Sequence, residues 1–257
     1  MQQVRSSDGT TIAYETSGDG PPLVIVTGAF CDSTSPAGLV AELAKNWTVV
    51  AYDRRGRGAS GDNPPYAVDR EIDDLAAVLA AAGERPLVYG HSSGARLALD
   101  GAAAGLPISR LAVYEPPFRL SPSTGAAGLR TRVEQLLRSG DRSAAAALHL
   151  RESGTPEHVV QFMQQAPWWP RMVEFAPTLP YDEALCGDLG IPRERLERID
   201  VPTLVLGGAN SDPEWSKALR AAADAVPGAL FDVLEGQDHV PADDVLAPVL
   251  TGFFQSR

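Results

Sequence analysis

The sequence predicts an α/β fold, with helices flanking a mostly parallel central sheet and a helical insertion interrupting it. Two observations support this prediction. First, short apolar runs recur with helix-length segments between them, at residues 23–27, 48–52, 87–89, 111–114 and 203–206. Runs without polar alternation are typical of strands covered on both faces, as in a parallel sheet. Second, this alternation of strands and helices stops at residue 116 and resumes only after residue 199.

The first elements follow from local turn and cap signals. Asp8 and Gly9 form a turn dipeptide between β-prone segments, which predicts an opening hairpin over residues 4–16. The clearest helix is expected over residues 69–82, with Asp69 as its N-cap and Gly83 as its end. Its apolar residues Ile72, Leu75 and Leu79 share one face, so this helix should pack on the sheet.

The interruption has a different pattern. Segments 130–139 and 142–151 are amphipathic, and six prolines between residues 156 and 192 break the region into short pieces. After it we expect a strand at 203–206, then a helix, a strand and a final helix, at 214–225, 230–234 and 245–254. We therefore predict a core formed by residues 1–116 and 200–257, and a helical cap formed by residues 117–199.

Composition excludes several classes of protein. The 22 Lys+Arg and 33 Asp+Glu residues give a net charge of −11, which argues against nucleic acid as a partner because such binding needs clustered cations. Cys31 and Cys186 have neither metal-ligand spacing nor the density of a disulfide-stapled fold. No stretch approaches the length of a membrane span, and the first residues lack a signal-peptide pattern. We expect a cytoplasmic monomer or homodimer that acts on a small molecule, with no metal, cofactor, nucleic acid or membrane.

The strongest chemical signal is Gly-His-Ser-Ser-Gly at residues 90–94, which matches the pattern Gly-x-Ser-x-Gly. It directly follows the strand at 87–89 and precedes a helix expected to begin near Ala95. A sharp turn between a strand and a helix requires small neighbours, which explains Gly90 and Gly94. Ser92 should then project at the carboxyl edge of the sheet, where the helix N-terminus and the Ser93 N–H can bind a developing oxyanion.

With these residues the chain resembles the α/β-hydrolase superfamily, from Gly18 to the C-terminal helix. The resemblance implies an α/β-hydrolase fold in which Ser92 is the nucleophile and the helical cap is inserted between two core strands. Residues 27–30, Thr-Gly-Ala-Phe, stand where the family carries its oxyanion loop, with threonine in place of the usual histidine. The expected donors are the backbone N–H of Ala29 or Gly28, together with that of Ser93.

Residues 53–60 resemble the family's next loop and contain Gly-x-Gly-x-x-Gly, at positions 56, 58 and 61. A dinucleotide site of this pattern must open a helix whose N-terminus receives the pyrophosphate. Asn63-Pro64-Pro65 follows and forbids that helix. We therefore expect the arginines of this loop to brace it against acidic neighbours rather than to bind a cofactor.

The resemblance places the general base at His239, which follows the last predicted strand and precedes the terminal helix. An imidazole of near-neutral pKa can take the Ser92 proton and return it to the leaving group. His91 adjoins the nucleophile but should point away from its hydroxyl. For His149 and His158, which fall in the insertion, surface or packing roles are expected.

The acid that orients the base has two candidates, Glu115 after the strand at 111–114 and Asp212 after the strand at 203–206. Both keep the chain order serine, acid, histidine. We favour Glu115, because Asp212 lies four residues beyond Gly208, whereas the family usually has its aspartate two or three residues after the strand-end glycine. A strand-ending glutamate followed by proline is similar to the arrangement in zearalenone-type lactone hydrolases. The alternative roles are a salt bridge from Glu115 to Arg119 and a helix N-cap for Asp212.

The insertion also supplies large apolar side chains around two closely spaced prolines. Pro167 and Pro170 bracket two tryptophans and prevent a long helix there. If these rings lie over Ser92, they form an apolar pocket together with oxyanion-loop and elbow residues. Otherwise they form the core of the cap itself, and both outcomes stay open. The expected pocket residues are Phe30, His91, Phe162, Trp168, Trp169 and Met172.

The resemblance implies a capped, cofactor-free serine hydrolase that cleaves a carboxylic ester or lactone with a hydrophobic moiety. The same residues also serve C–C bond hydrolases, thioesterases and perhydrolases. A non-catalytic small-molecule receptor on this fold is the alternative of another class.

Overall fold

The computed structural model describes residues 1–123 and 125–256, and within them eight strands form one sheet in the order β1-β2-β4-β3-β5-β6-β7-β8. Strands β3 to β8 pair in parallel, whereas β2 runs antiparallel to both β1 and β4. The predicted α/β-hydrolase fold with a mostly parallel sheet is therefore confirmed. The strands are β1 Gln2–Arg5, β2 Thr11–Ser17, β3 Pro22–Val26, β4 Thr48–Tyr52, β5 Leu87–His91, β6 Arg110–Tyr114, β7 Thr203–Gly208 and β8 Leu230–Leu234.

Helices cover both faces of the sheet, which explains why its central strands β3 to β7 are mostly apolar and buried. Helices α1 (Ala37–Leu43) and α11 (Asp243–Gln255) pack on one face. On the other face lie α2 (Val68–Ala82), α3 (Ser93–Ala103) and α10 (Pro213–Ala223). Burial of both faces provides the apolar driving force for the fold.

Between β6 and β7 the chain forms the inserted helices. They are α4 Ala126–Arg138, α5 Arg142–Glu152, α6 Glu157–Gln165, α7 Trp169–Phe175, α8 Leu179–Cys186 and α9 Arg193–Leu196, with a 3₁₀ turn at Ala176–Thr178. These helices have a hydrophobic cluster of their own, which includes Val133, Val160 and Trp169. Ala29 and Phe30, from the loop after β3, pack against this cluster. The inserted helices therefore lie over the loop predicted to form the oxyanion hole.

One predicted cap is wrong. Helix α2 begins at Val68, its N-cap is Ala67, and Asp69 lies within the first turn. No side-chain cap bond is made there, so Asp69 acts only as an acidic residue near the positive end of the helix dipole. The later acidic residues Glu71 and Asp74 are buried and pair with arginines of the loop after β4.

Candidate active site

Ser92 lies in the turn that joins β5 to α3, and its backbone is strained. Its φ of 55° and ψ of −125° fall outside the regions that a side chain normally permits. The turn is possible because its neighbours are glycines: a Cβ on Gly94 would lie 2.2 Å from the Val26 carbonyl oxygen, and one on Gly90 would lie 2.7 Å from the Ala95 Cα. The tight turn holds the Ser92 hydroxyl at the carboxyl edge of the sheet.

The structure brings together three side chains that the sequence places far apart. His239 Nε2 lies 3.2 Å from Ser92 Oγ, and His239 Nδ1 lies 2.7 Å from Glu115 Oε2. Glu115 is completely buried, whereas the His239 side chain is 39% exposed. Serine, imidazole and carboxylate thus form one hydrogen-bonded chain, with the carboxylate at its buried end.

Glu115 is held in a fixed orientation by bonds to both of its oxygens. Gly208 N–H donates to Glu115 Oε1 over 2.8 Å, which leaves Oε2 for His239. Burial raises the pKa of Glu115, but the hydrogen bonds from His239 and Gly208 outweigh it, so that the pKa lies below its ordinary value. An ionised carboxylate that accepts from Nδ1–H leaves Nε2 free to accept a proton.

Asp212 has a different role in the structure. It is the N-cap of α10, and its side chain accepts a hydrogen bond from the Glu214 N–H. Within the described residues no hydrogen bond joins Asp212 to His239. Asp212 therefore occupies the helix N-cap position that was its alternative role. Glu115 is the carboxylate in contact with the His239 imidazole.

Two aromatic rings flank the His239 imidazole. The His91 ring centroid lies 4.9 Å away and the Trp215 ring centroid 5.0 Å away, both at tilted angles. His91 Nε2 also lies 2.8 Å from the His239 carbonyl oxygen, and burial together with the nearby His239 lowers the pKa of His91 to about 4. A neutral His91 therefore donates Nε2–H to that carbonyl. His91 therefore contacts His239 rather than the Ser92 hydroxyl, and the sequence analysis likewise expected it to point away from that hydroxyl.

Trp215 and Tyr114 are site residues that the sequence analysis missed. Trp215 is fixed by its indole N–H, which donates to the Pro116 carbonyl oxygen over 3.1 Å. Tyr114 donates its hydroxyl to the Asp238 carbonyl oxygen over 2.5 Å and so holds the loop that carries His239. Tyr114 ends a predicted strand and could have been inferred from that position, but no local signal marks Trp215.

The loop after β3 lies directly against the nucleophile. A Cβ on Gly28 would lie 2.9 Å from Ser92 Cβ and 3.4 Å from Ser92 Oγ. The next residue but one, Phe30, has a positive φ of 59°. Within the described part of the chain, the backbone N–H groups of Ala29 and Ser93 donate to no other residue. Both groups are free to bind an oxygen placed beside Ser92.

Behind this loop lies a set of buried charges from the loop after β4. Arg55 pairs with Asp74, with nitrogen–oxygen distances of 2.6 and 2.8 Å. Arg54 and Arg57 both pair with Asp182 of α8, over 2.9 and 2.6 Å. The arginines of this loop therefore form ion pairs, and residues 62–67, which follow the glycine pattern, do not form a helix. Asp182 was not predicted, because nothing local distinguishes it from the other acidic residues of the insertion.

The aromatic residues of the insertion divide into two groups. Trp169 is only 6% exposed and its indole N–H donates to Ser143 Oγ over 3.0 Å, so it belongs to the core of the inserted helices. Met172 packs against the same core. Phe162 and Trp168 are 70% and 46% exposed. Trp169 therefore lies in the core of the inserted helices and Phe162 faces solvent, while the pocket roles expected for these residues stay predictions.

Phe30 is the large apolar residue within the loop after β3. It packs against the inserted helices and makes an edge contact with His149, with ring centroids 5.4 Å apart. His149 Nδ1 in turn pairs with Glu183 over 2.6 Å.

Within residues 1–123 and 125–256, no group of three or more His, Cys, Asp or Glu side chains is arranged to hold a metal ion. None of the described helices is long and apolar enough to cross a bilayer.

The chain is similar in sequence and in structure to known proteins. Residues 23–249 match the family model described as Alpha/beta hydrolase family. The chain is 27% identical to a non-heme haloperoxidase from Rhodococcus erythropolis, over 98% of both chains. A crystal structure of an alpha/beta hydrolase from Sphaerobacter thermophilus DSM 20745 is similar with a TM-score of 0.93 and 48% identity, covering 99% of this chain and 100% of that one. The enol-lactonase from Burkholderia xenovorans LB400 shares the fold, with a TM-score of 0.77 and 21% identity over 99% of this chain and 100% of that one.

Proposed function

The chain belongs to the alpha/beta hydrolase family and is an enzyme of the hydrolase type; from this premise we propose that it is a serine hydrolase that cleaves a carboxylic ester or lactone through an acyl-enzyme. The single observation that carries the proposal is the hydrogen-bonded chain from Ser92 through His239 to Glu115. That chain is the arrangement by which a weakly nucleophilic hydroxyl is activated for acyl transfer.

The proposed reaction follows from the geometry. Ser92 Oγ attacks the substrate carbonyl carbon while His239 Nε2 takes its proton, and the carbonyl oxygen becomes an oxyanion. The N–H groups of Ala29 and Ser93 bind that oxyanion. His239 then gives the proton to the leaving alkoxide, which departs as an alcohol. Water repeats the sequence on the acyl-enzyme and releases the acid.

Glu115 acts through the imidazole rather than on the substrate. Its ionised form fixes the tautomer in which Nδ1 carries the proton, and its charge stabilises the imidazolium that forms during each proton transfer. The lowered pKa of Glu115 keeps this carboxylate ionised at neutral pH.

We also propose that residues 117–199 form a cap that bounds the substrate site and that residues 1–116 and 200–257 form the core. The packing of Ala29 and Phe30 against the inserted helices supports this division. The apolar character of that contact favours a substrate with a hydrophobic moiety. The cytoplasmic location and the monomeric or homodimeric state stay predictions.

The proposal of an ester or lactone as substrate has support in the names of similar proteins, since one structural neighbour is an enol-lactonase and others are esterases. The relative named non-heme haloperoxidase favours a second candidate. In that reaction hydrogen peroxide, rather than water, attacks the acyl-enzyme and releases a peracid.

A fluorophosphonate probe tests the function directly, because it reacts with an activated serine. We expect labelling at Ser92 in the native protein, none in Ser92→Ala, and hydrolysis of members of an ester and lactone panel by the wild type alone. A second arm adds hydrogen peroxide and acetate and measures bromide oxidation. A native protein that binds apolar esters but takes no label at Ser92 would be a receptor, and the proposal would fail.

A further inference from the structure

A buried cluster of charges connects the inserted helices to both residues that supply the proposed oxyanion hole. Its members are Arg54 and Arg57 from the loop after β4, Glu71 from α2 and Asp182 from α8, each at most 2% exposed. Two positive and two negative groups balance within it. Such a cluster is rigid, because a buried charge that loses its partner destabilises the protein strongly.

The first connection runs through Arg57 to the loop after β3. Arg57 Nη1 donates to the Gly28 carbonyl oxygen and Nη2 donates to Asp182 Oδ2, both over 2.6 Å. The Gly28 carbonyl and the Ala29 N–H belong to one planar trans peptide, so they point in opposite directions. Holding the carbonyl towards Arg57 therefore turns the Ala29 N–H away from the cluster.

The same loop lies directly against Ser92. Gly28 lies so close to Ser92 that a Cβ there would come within 3.4 Å of Ser92 Oγ. Arg54 holds the preceding peptide in a similar way, because its Nη1 donates to the Thr27 carbonyl oxygen over 3.3 Å. Both carbonyls of this short loop are thus bonded on the side of the cluster.

The second connection runs through Ser93, the other proposed donor. Ser93 Oγ donates to Asp182 Oδ1 over 2.7 Å and accepts from Arg54 Nη1 over 3.1 Å. Its side chain is buried, and its backbone N–H begins helix α3. One carboxylate therefore touches Ser93 directly and reaches Gly28 through one guanidinium.

We propose that Asp182 is a positioning residue that sets the distance and direction of both oxyanion-hole N–H groups, so that the inserted helices are part of the transition-state site. This inference rests on the proposed function. Burial opposes ionisation of Asp182, but Arg57 and Arg54 hold its pKa well below the ordinary range, so the carboxylate carries its charge at neutral pH. The neutral variant Asp182→Asn keeps the size of the side chain and weakens both links.

The chain offers a matched control. Asp100, on α3, is also 2% exposed and pairs with two arginines, Arg96 and Arg195, over 3.1 and 3.0 Å. It lies eight residues beyond Ser92, roughly 12 Å along the helix at 1.5 Å per residue. Asp100→Asn therefore removes an equivalent buried charge without touching the loop after β3.

The experiment compares Asp182→Asn and Asp100→Asn by kcat and KM on a p-nitrophenyl ester, by affinity for phenylboronic acid and by thermal unfolding. Phenylboronic acid forms a tetrahedral adduct with an active serine and so reports on the oxyanion hole. For Asp182→Asn we expect kcat and boronic-acid affinity to fall about 100-fold with KM within about twofold, since a displacement of about 1 Å costs that much. Asp100→Asn should lower Tm to a similar extent and keep kcat within about threefold.

A second pair covers the case in which Asp182→Asn does not fold. Arg57→Lys keeps a positive charge, but its single ammonium nitrogen cannot take the places of the two Nη atoms that bond to Gly28 and to Asp182. Arg55→Lys changes an equally buried arginine of the same loop that bonds to Asp74 and not to the oxyanion loop. We expect the kcat loss in Arg57→Lys only.

Equal kcat in both members of each pair, or a rise in KM alone, overturns the inference and leaves the proposed function intact. A wild type that hydrolyses no ester and takes no phosphonate label overturns the proposed function, and this inference with it.

Discussion

Replacing Glu115 with glutamine should lower kcat about 10⁴-fold, which corresponds to about 5.4 kcal/mol of transition-state stabilisation. The structure supplies the reason. One carboxylate oxygen accepts from Gly208 N–H and the other from His239 Nδ1–H. An amide has only one oxygen, and if that oxygen stays with Gly208 its NH₂ group faces Nδ1. The imidazole must then carry its proton on Nε2, where it cannot accept the proton of Ser92.

The assay is kcat and kcat/KM of purified Glu115→Gln on the best ester of the panel, with thermal unfolding to show that the variant folds. Asp212→Asn is the control, because asparagine is as good an N-cap as aspartate, and its kcat should stay within about threefold of wild type. A Glu115→Gln protein that retains a tenth of wild-type kcat would refute the reasoning. Loss of activity in Asp212→Asn alone would assign the role to Asp212.

Three further predictions concern the elbow, the base and the response to acid. Gly94→Ala should lower the free energy of unfolding by about 3 kcal/mol or more, because the new Cβ would overlap two carbonyl oxygens at the end of β3. Urea unfolding measures this, and an unchanged midpoint would contradict it. Trp215→Leu should lower kcat by up to about tenfold, since a ring contact of about 0.5–1.5 kcal/mol with His239 is lost, whereas Trp215→Phe should keep most of the activity in the same assay. The folded-state pKa of Asp182 is lowered, so its ion pairs stabilise the protein fully above about pH 5 and lose that contribution as the pH falls through the folded-state pKa. The difference in Tm between wild type and Asp182→Asn should therefore shrink on acidification below about pH 4, and a constant difference would show that folding does not lower the pKa of this carboxyl.

Several elements could be predicted because their signals are local. The apolar run at Thr48–Tyr52 forms β4 as expected, and the strand at Leu230–Leu234 forms β8. The elbow was predictable for the same reason, since the turn needs small residues within a window of five. The start of α2 was not predicted correctly: Asp69 was expected to cap the helix, but the helix begins at Val68 and Asp69 makes no cap bond.

The role of the arginines could be predicted only in part. The prolines after the glycine pattern argued against a dinucleotide helix, and the arginines of this loop were expected to brace it against acidic neighbours. Which acids those are depends on chain segments that approach only when the sheet has formed. Asp182 lies 125 residues from Arg57, and no local pattern links the two. The same limit hid Trp215, whose contact with His239 depends on how α10 packs.

The sequence by itself determined the alternation of strands and helices, the tight turn at Ser92 and the order along the chain of the proposed nucleophile, acid and base. Each of these depends on neighbours within a few residues, through backbone sterics and apolar periodicity. Only the tertiary structure decided that Glu115 rather than Asp212 contacts His239, that Trp169 is buried in the inserted helices, and that Asp182 reaches the oxyanion loop. These outcomes depend on distances between segments that parallel strand pairing and helix packing bring together, and such distances are not encoded in any local stretch of the chain.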